Sequence, residues 1–276
     1  MKPSTSIPAA LLFVTLLVPV ANAEILYHAD YEEGKILDEG TYGIGVEKCC
    51  DHSVNVVDDV ARKGECSVRF ESRRDDPEVA GSPGRAELKV KKTEPLAEEW
   101  YAWSIFTPES TKSDISEILG QWHASPDFDE GEDWRSPPLD VRLKDDKWLL
   151  SGHYAPQCVN NNSNRKEGFS KTIGTIKKGV WNDWVFHVQW DYREEEDGGK
   201  GFVEAWLQVD GGGYEKVIDY KGPIGYNDER GVYLKWGIYK HPWGGGHKGN
   251  QSRRVHYYDE VKIGDADSNF EEMKVD

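Results

Sequence analysis

The chain has 276 residues, enough for one large domain or two small ones with a sizeable buried core. Its formal net charge is −16, from 34 Lys and Arg against 50 Asp and Glu, which argues against a general polyanion-binding surface and makes nucleic acid a poor partner. Its 11 Trp and 13 Tyr suit a sugar-binding surface and a β-sheet core equally.

At the N-terminus, Lys2, an apolar run over residues 7–20 and the small-x-small triplet Ala21-Asn22-Ala23 read as a secretory signal spanning residues 1–23. The run is short for a bilayer span and no charged stop follows it, so the expectation is an exported chain, extracellular or periplasmic. Residues 24–276 then form the mature domain, with no membrane partner. Cys49, Cys50, Cys66 and Cys158 all follow the cleavage site, so disulfides are allowed. Cys49 and Cys50 are adjacent, and each is expected to pair with Cys66 or Cys158 rather than with its neighbour. No Cys-x-x-Cys spacing supports a zinc site.

Short alternating runs separated by Gly, Pro, Asn and Asp recur along the rest of the chain. They predict strands over residues 24–29, 66–71, 85–91, 100–106, 118–123, 139–143 and 148–152, and then over 184–190, 202–209, 232–240 and 255–263. Residues 127–133, 193–200 and 241–250 read as loops. There is no internal repeat and no dividing linker. So many short strands predict an all-β sandwich or jelly roll.

Residues at i and i+2 share one face of a strand. Ala86, Leu88 and Val90 thus oppose Arg85, Glu87 and Lys89. Leu139, Val141 and Leu143 oppose Asp140 and Arg142. Ile118 and Trp122 oppose Leu119, Gln121 and His123, and Leu234, Trp236 and Ile238 oppose Lys235, Gly237 and Tyr239. A solvated outer sheet face usually carries Thr, Ser, Lys and Glu. These faces gather Arg, Gln, His, Lys and Tyr, which predicts a chemical platform if the strands are neighbours.

A glycoside hydrolase needs two carboxylates flanking the scissile bond. No strand offers them: Glu32-Glu33 and Asp259-Glu260 are adjacent pairs that point to opposite faces, and the acids of residues 127–133 lie in a loop. β-Elimination from a uronate needs different groups. One must hydrogen-bond or neutralise the carboxylate, one must take the C5 proton, and one must protonate the leaving oxygen. Gln121, His123, Arg85, Arg142, Lys235 and Tyr239 supply that inventory, and a cation such as Lys235 beside Tyr239 would lower the phenol pKa. Lys240, His241, His247, Lys248, Arg253 and Arg254 cluster beside the same strand in sequence and predict a basic cleft in an acidic body.

Three strings, in order, resemble the heparin lyase I-like and glucuronan lyase-like polysaccharide lyases. The first is Gln121-Trp122-His123 followed by Ser136-Pro137-Pro138-Leu139. The second is Trp181-Asn182-Asp183-Trp184 leading into His187-Val188-Gln189-Trp190. The third is Lys235-Trp236-Gly237-Ile238-Tyr239 with a closing Tyr258-Asp259-Glu260-Val261 strand. Each is weak alone; together they cover the chain from about Arg85 to Gly264.

The resemblance implies a concanavalin-like β-jelly roll with a substrate groove on the concave sheet, and endo-acting β-elimination of a uronate polymer, glucuronan-like in first place. His123 and Tyr239 would share the base and acid roles. Gln121 and Lys235 would act on the uronate carboxylate or support that pair. Arg85, Arg142, Lys240, His241 and His247 are the expected substrate contacts. No cofactor is required for the chemistry, but a structural Ca²⁺ away from the groove is implied, with Asp30, Glu32 and Asp259 as candidate ligands. The expected partner is an acidic polysaccharide, and the expected state a monomer. Two other readings are a non-catalytic carbohydrate-binding sandwich and a hydrolase.

Overall fold

A computed structural model describes residues 23–36, 43–90, 93–112, 114–247 and 249–276. The proposed leader falls almost wholly outside the described residues, as does Lys248. In chain order the strands are β1 (Ile25–Ala29), β2 (Gly45–Glu47), β3 (Val54–Val57), β4 (Ser67–Arg73), β5 (Arg85–Lys89), β6 (Glu98–Phe106), β7 (Glu117–His123) and β8 (Leu139–Lys144). They continue with β9 (Lys147–Ala155), β10 (Lys166–Thr175), β11 (Trp181–Gln189), β12 (Phe202–Val209), β13 (Glu215–Lys221), β14 (Gly225–Tyr226), β15 (Tyr233–Tyr239) and β16 (Arg253–Gly264). One short helix, α1 (Phe270–Met273), closes the described chain with a capping box between Asn269 and Glu272. No helix among the described residues is long and apolar enough to cross a membrane.

The strands form two eight-stranded sheets. The first runs β13-β12-β11-β6-β16-β4-β3, with β1 also on β16. The second runs β10-β9-β8-β7-β15-β5-β2, with β14 added parallel to β9. Their inner faces share one core: Trp103, Trp184 and Phe186 from the first sheet meet Trp122, Trp148 and Trp236 from the second. This is the expected all-β sandwich, with neighbours in space that are far apart in sequence.

Four strands with weak sequence signals, β2, β3, β10 and β13, all lie at sheet ends. An end strand buries less apolar surface, so its sequence does not need the alternation that marks a central strand. Lys166–Thr175 shows this, with a run of exposed and half-exposed residues and two register shifts against β9.

The alternation holds on β5, β8 and β15 but fails at one end of β7. Leu119 belongs to the core, whereas Ile118 lies on the cleft side. There the β7–β8 register slips, with Ile118 opposite Arg142 and Gly120 opposite Val141. The extra residue turns Leu119 inward and returns Gln121 and His123 to the cleft side. The β7–β15 register also slips between Trp236 and Tyr239. Gly237 sits in that interval at φ 129°, where a Cβ would lie 2.3 Å from the Ala86 carbonyl oxygen. Only glycine fits there.

The expected pairing of Cys49 and Cys50 with distant cysteines is not what forms. The two are joined to each other in a vicinal disulfide, while Cys66 and Cys158 are free. Cys66 immediately precedes β4 and Cys158 lies in an exposed bend, and neither is joined to the turn that follows β2.

Candidate active site

Five strands of the second sheet stand in the order β8-β7-β15-β5-β2, so their outward side chains form one surface. Lys235 lies opposite both Gln121 and Lys89, Tyr239 opposite Arg85, and Tyr233 opposite His123. Residues directly opposite on paired strands share a face. An open cleft of about 810 Å³ covers this surface. Arg85, Gln121, His123, Arg142, Lys235, Tyr239 and His241 all line it, together with Glu47, Lys89 and Tyr233. Ala80–Ser82 forms one wall and Trp134–Pro137 another.

Beneath the floor lies an ion network anchored on two carboxylates. Lys235 Nζ is 2.7 Å from both Glu47 and Glu87. Arg85 Nη1 is 2.8 Å from Glu47 and 3.1 Å from Glu87, and Lys89 Nζ is 2.9 Å from Glu47. The Gln121 amide donates to Glu87 at 2.5 Å. Burial alone would raise the Glu47 pKa, but Lys235, Lys89 and Arg85 hold it down at about 2. Lys235 is 1% exposed. It ties Glu47 and Glu87 together at the floor of the cleft.

His123 has a defined tautomer. Its Nδ1 is 2.7 Å from the Ala124 carbonyl oxygen, which can only accept, so Nδ1 carries the proton and Nε2 keeps its lone pair. Burial, aided by the positive charges of Lys235 and Arg85, pushes the imidazole pKa down to about 4 despite that hydrogen bond. His123 is thus neutral at neutral pH. Across the cleft the Tyr239 hydroxyl is 3.1 Å from Ser82 Oγ, and the Arg85 guanidinium lies 4.1 Å from the centre of its ring. The cation beside Tyr239 is therefore Arg85, where the sequence pointed to Lys235. His241 packs 5.8 Å from Tyr239, and burial together with Arg142 and Lys240 lowers its pKa to about 4.

Arg142 is bound by Asp140 through Nε at 2.5 Å and Nη2 at 2.7 Å. At the cleft mouth Trp134, 58% exposed, packs 5.5 Å from His123 and 5.4 Å from Phe128, which is also exposed. Together the surface offers a neutral imidazole acceptor, a phenol donor, amide and guanidinium donors, and a flat ring at its edge. Arg85, Lys89, Arg142 and Lys235 outnumber Glu47, Glu87 and Asp140, so the site carries a slight positive excess in an acidic chain.

Several expected contacts lie elsewhere. Lys240 is buried, with Nζ 2.5 Å from the Ile115 carbonyl oxygen and 3.9 Å from Glu117. It follows Tyr239 by one residue and turns to the opposite side, into a cluster with Arg254 and His256 around Glu117. His247 sits in an exposed loop and does not line the cleft. Arg253 pairs with Glu71 on the first sheet. Asp30, Glu32 and Asp259 do not form a carboxylate cluster among the described residues. Glu32 accepts from the Glu65 and Cys66 amides, and Asp259 from the Arg62, Lys63 and Glu260 amides.

Glu47, Ser82, Trp134 and Tyr233 also line the cleft, although none was among the expected site residues. Glu87 was legible as part of the Arg85-x-Glu87-x-Lys89 face, but nothing in the three-residue β2 signals Glu47. Trp181–Trp190 and Tyr258–Val261 belong to the first sheet, away from the cleft. There Asp183 pairs with Arg62, and His187 stacks on Trp100 at 3.9 Å.

A family model described as polysaccharide lyase matches residues 29–262. No curated protein matches the sequence. The fold is similar to that of an endo-β-1,4-glucuronan lyase from the fungus Trichoderma reesei, with a TM-score of 0.73 and 20% identity over 91% of this chain and 98% of that one. It is also similar to an alginate lyase from the marine Aplysia kurodai, with a TM-score of 0.59 and 10% identity over 87% and 99% of the two chains. An alginate lyase from a Chlorella virus aligns with a TM-score of 0.51 and 14% identity over 88% of this chain and 100% of that one.

Proposed function

The chain belongs to the polysaccharide lyase family, and from that membership we propose that it is a secreted, endo-acting enzyme that cleaves a uronate polymer, glucuronan in first place, by β-elimination. The observation that carries the proposal is the pairing, in one cleft, of a neutral His123 with a free Nε2 and a Tyr239 hydroxyl beside the Arg85 guanidinium.

In this mechanism the sugar carboxylate is met by the Gln121 amide and the Arg85 guanidinium. Gln121 keeps one N–H beyond the one given to Glu87, and Arg85 keeps donors beyond Nη1. Their hydrogen bonds strengthen as negative charge builds on the carboxylate. His123 Nε2 takes the C5 proton. The C4–O4 bond breaks, its electron pair leaves with O4, and the Tyr239 hydroxyl supplies the proton that O4 needs. The double bond left between C4 and C5 marks the new end. Lys235, Glu47 and Glu87 hold this set in place, and Trp134 offers its face to an adjoining sugar ring.

Hydrolysis has less support. Glu47, held at about 2, has no proton to give at neutral pH, and Glu87 is enclosed by Gln121, Lys235 and Arg85. A bare binding module does not need a neutral imidazole and a phenol facing one cleft. Glucuronan is favoured over a sulfated polymer because the cations of the cleft are already tied to carboxylates, which leaves few to meet sulfates. The fold shared with a glucuronan lyase points the same way.

A polymer panel tests the substrate. Glucuronan, alginate and a sulfated glycosaminoglycan are offered separately, and both viscosity and chain-end release are followed. Fastest cleavage of glucuronan, with viscosity falling well ahead of small-product release, is expected. A preference for the sulfated polymer would overturn the assignment.

A further inference from the structure

We propose that Cys49, Cys50, His52 and Asp76 form a binding site for one thiophilic divalent ion, Zn²⁺ in first place, that opens when the Cys49–Cys50 disulfide is reduced. The proposal stands apart from the cleft and does not depend on the lyase chemistry.

Cys49, Cys50 and His52 come from the turn that follows β2, and Asp76 from the turn that follows β4. One ligand atom from each lies within 4.8 Å of all the others, and all four residues are half-buried. His52 Nε2 is 3.1 Å from Asp76 Oδ2, and Cys50 Sγ is 3.9 Å from Asp76 Oδ1. The Arg73 amide holds Asp76 in place by donating to Oδ2 at 2.7 Å. Two sulfurs, one imidazole nitrogen and one carboxylate oxygen make a four-ligand set of the kind that suits tetrahedral Zn²⁺.

The disulfide closes this site. Bonded to each other, the two sulfurs offer no thiolate, and His52 with Asp76 alone gives too few ligands. A dithiol donor opens it. The disulfide accepts two electrons and two protons and becomes two thiols, while the donor becomes a disulfide. The ion then displaces both thiol protons to solvent and binds the two thiolates, with His52 joining as the neutral imidazole. The site is therefore governed by the redox state of its surroundings.

The test uses the full chain with Cys66→Ser and Cys158→Ser, which removes the two free thiols. Oxidised and phosphine-reduced samples are titrated with Co²⁺ without air, and the spectra are recorded. One equivalent is expected to bind the reduced protein, with a sulfur-to-cobalt charge-transfer band and intense visible bands of tetrahedral cobalt, all removed by Zn²⁺. The oxidised protein should show none of these. His52→Ala and Asp76→Asn, which keep both cysteines, should each weaken binding at least tenfold. Cys50→Ser should cut the charge-transfer band by about half or more, because one of the two thiolates is lost. A reduced protein that binds no Co²⁺ would overturn the proposal. So would equal binding by the oxidised form, or binding indifferent to His52→Ala and Asp76→Asn.

Discussion

The Arg85 guanidinium lies 4.1 Å from the centre of the Tyr239 ring, and the two residues are directly opposite each other on paired strands. In the proposed elimination, a planar cation against the ring would stabilise the negative charge left on Tyr239 once its proton has gone to O4. Arg85→Lys keeps a charge but loses the plane and the fork that reaches Glu47 and Glu87. A fall in kcat of about a hundredfold is expected, in line with the loss of one preorganised donor. Steady-state kinetics beside an unchanged far-ultraviolet circular dichroism spectrum would check it.

In the proposed reaction, the half-buried imidazole of His123 is expected to set the acid limit. With its pKa lowered from 6.5 to about 4, Nε2 stays unprotonated across the range where an ordinary histidine would charge. The acid limb of kcat/KM is therefore expected near pH 4, and the His123 ring signals should not titrate between pH 5 and 8. The same shift acts on stability. Below 6.5 the unfolded chain takes up a proton that the folded chain refuses, so His123's contribution is full above 6.5 and is lost as pH falls through about 4. An NMR titration showing His123 charging near 6.5 would contradict this.

Glu87 is 2% exposed and meets Gln121, Lys235 and Arg85. Glu87→Ala leaves Lys235 buried beside Glu47 as its remaining partner. A loss of about 3–5 kcal/mol is expected on breaking such a buried network, read by urea unfolding at neutral pH. Lys235→Met removes the opposite charge from the same network and should also destabilise the fold. If Lys235→Met left stability intact and raised KM alone, Lys235 would be a substrate contact.

Trp134 is exposed at the cleft mouth, so Trp134→Ala should leave the fold unchanged. Losing one stacking ring corresponds to about 0.5–1.5 kcal/mol. KM for a long polymer should rise about three- to tenfold while kcat holds. A fall in kcat with KM unchanged would assign Trp134 to positioning His123.

The central strands were legible because burial on one side imposed alternation: Leu234, Trp236 and Ile238 went inward, and Lys235 and Tyr239 outward. What the sequence hid has physical reasons. The slip at Leu119 reverses the pattern at the end of β7, and no residue type announces it. Lys240 reads as a groove cation by its nearness to Tyr239, but one residue along a strand changes sides, and it meets Glu117. Glu47 comes from a three-residue end strand with no pattern of its own. The Cys49–Cys50 bond runs against the expectation that adjacent cysteines seek distant partners.

The central claim is elimination, and the ultraviolet absorbance of the unsaturated uronate end reports it most directly. Wild-type protein on glucuronan should raise that absorbance in step with new chain ends. Tyr239→Phe should lower the rate about 10²–10⁴-fold, the usual worth of a positioned acid or base. New reducing ends without absorbance, or a Tyr239→Phe enzyme as fast as the wild type, would contradict the account.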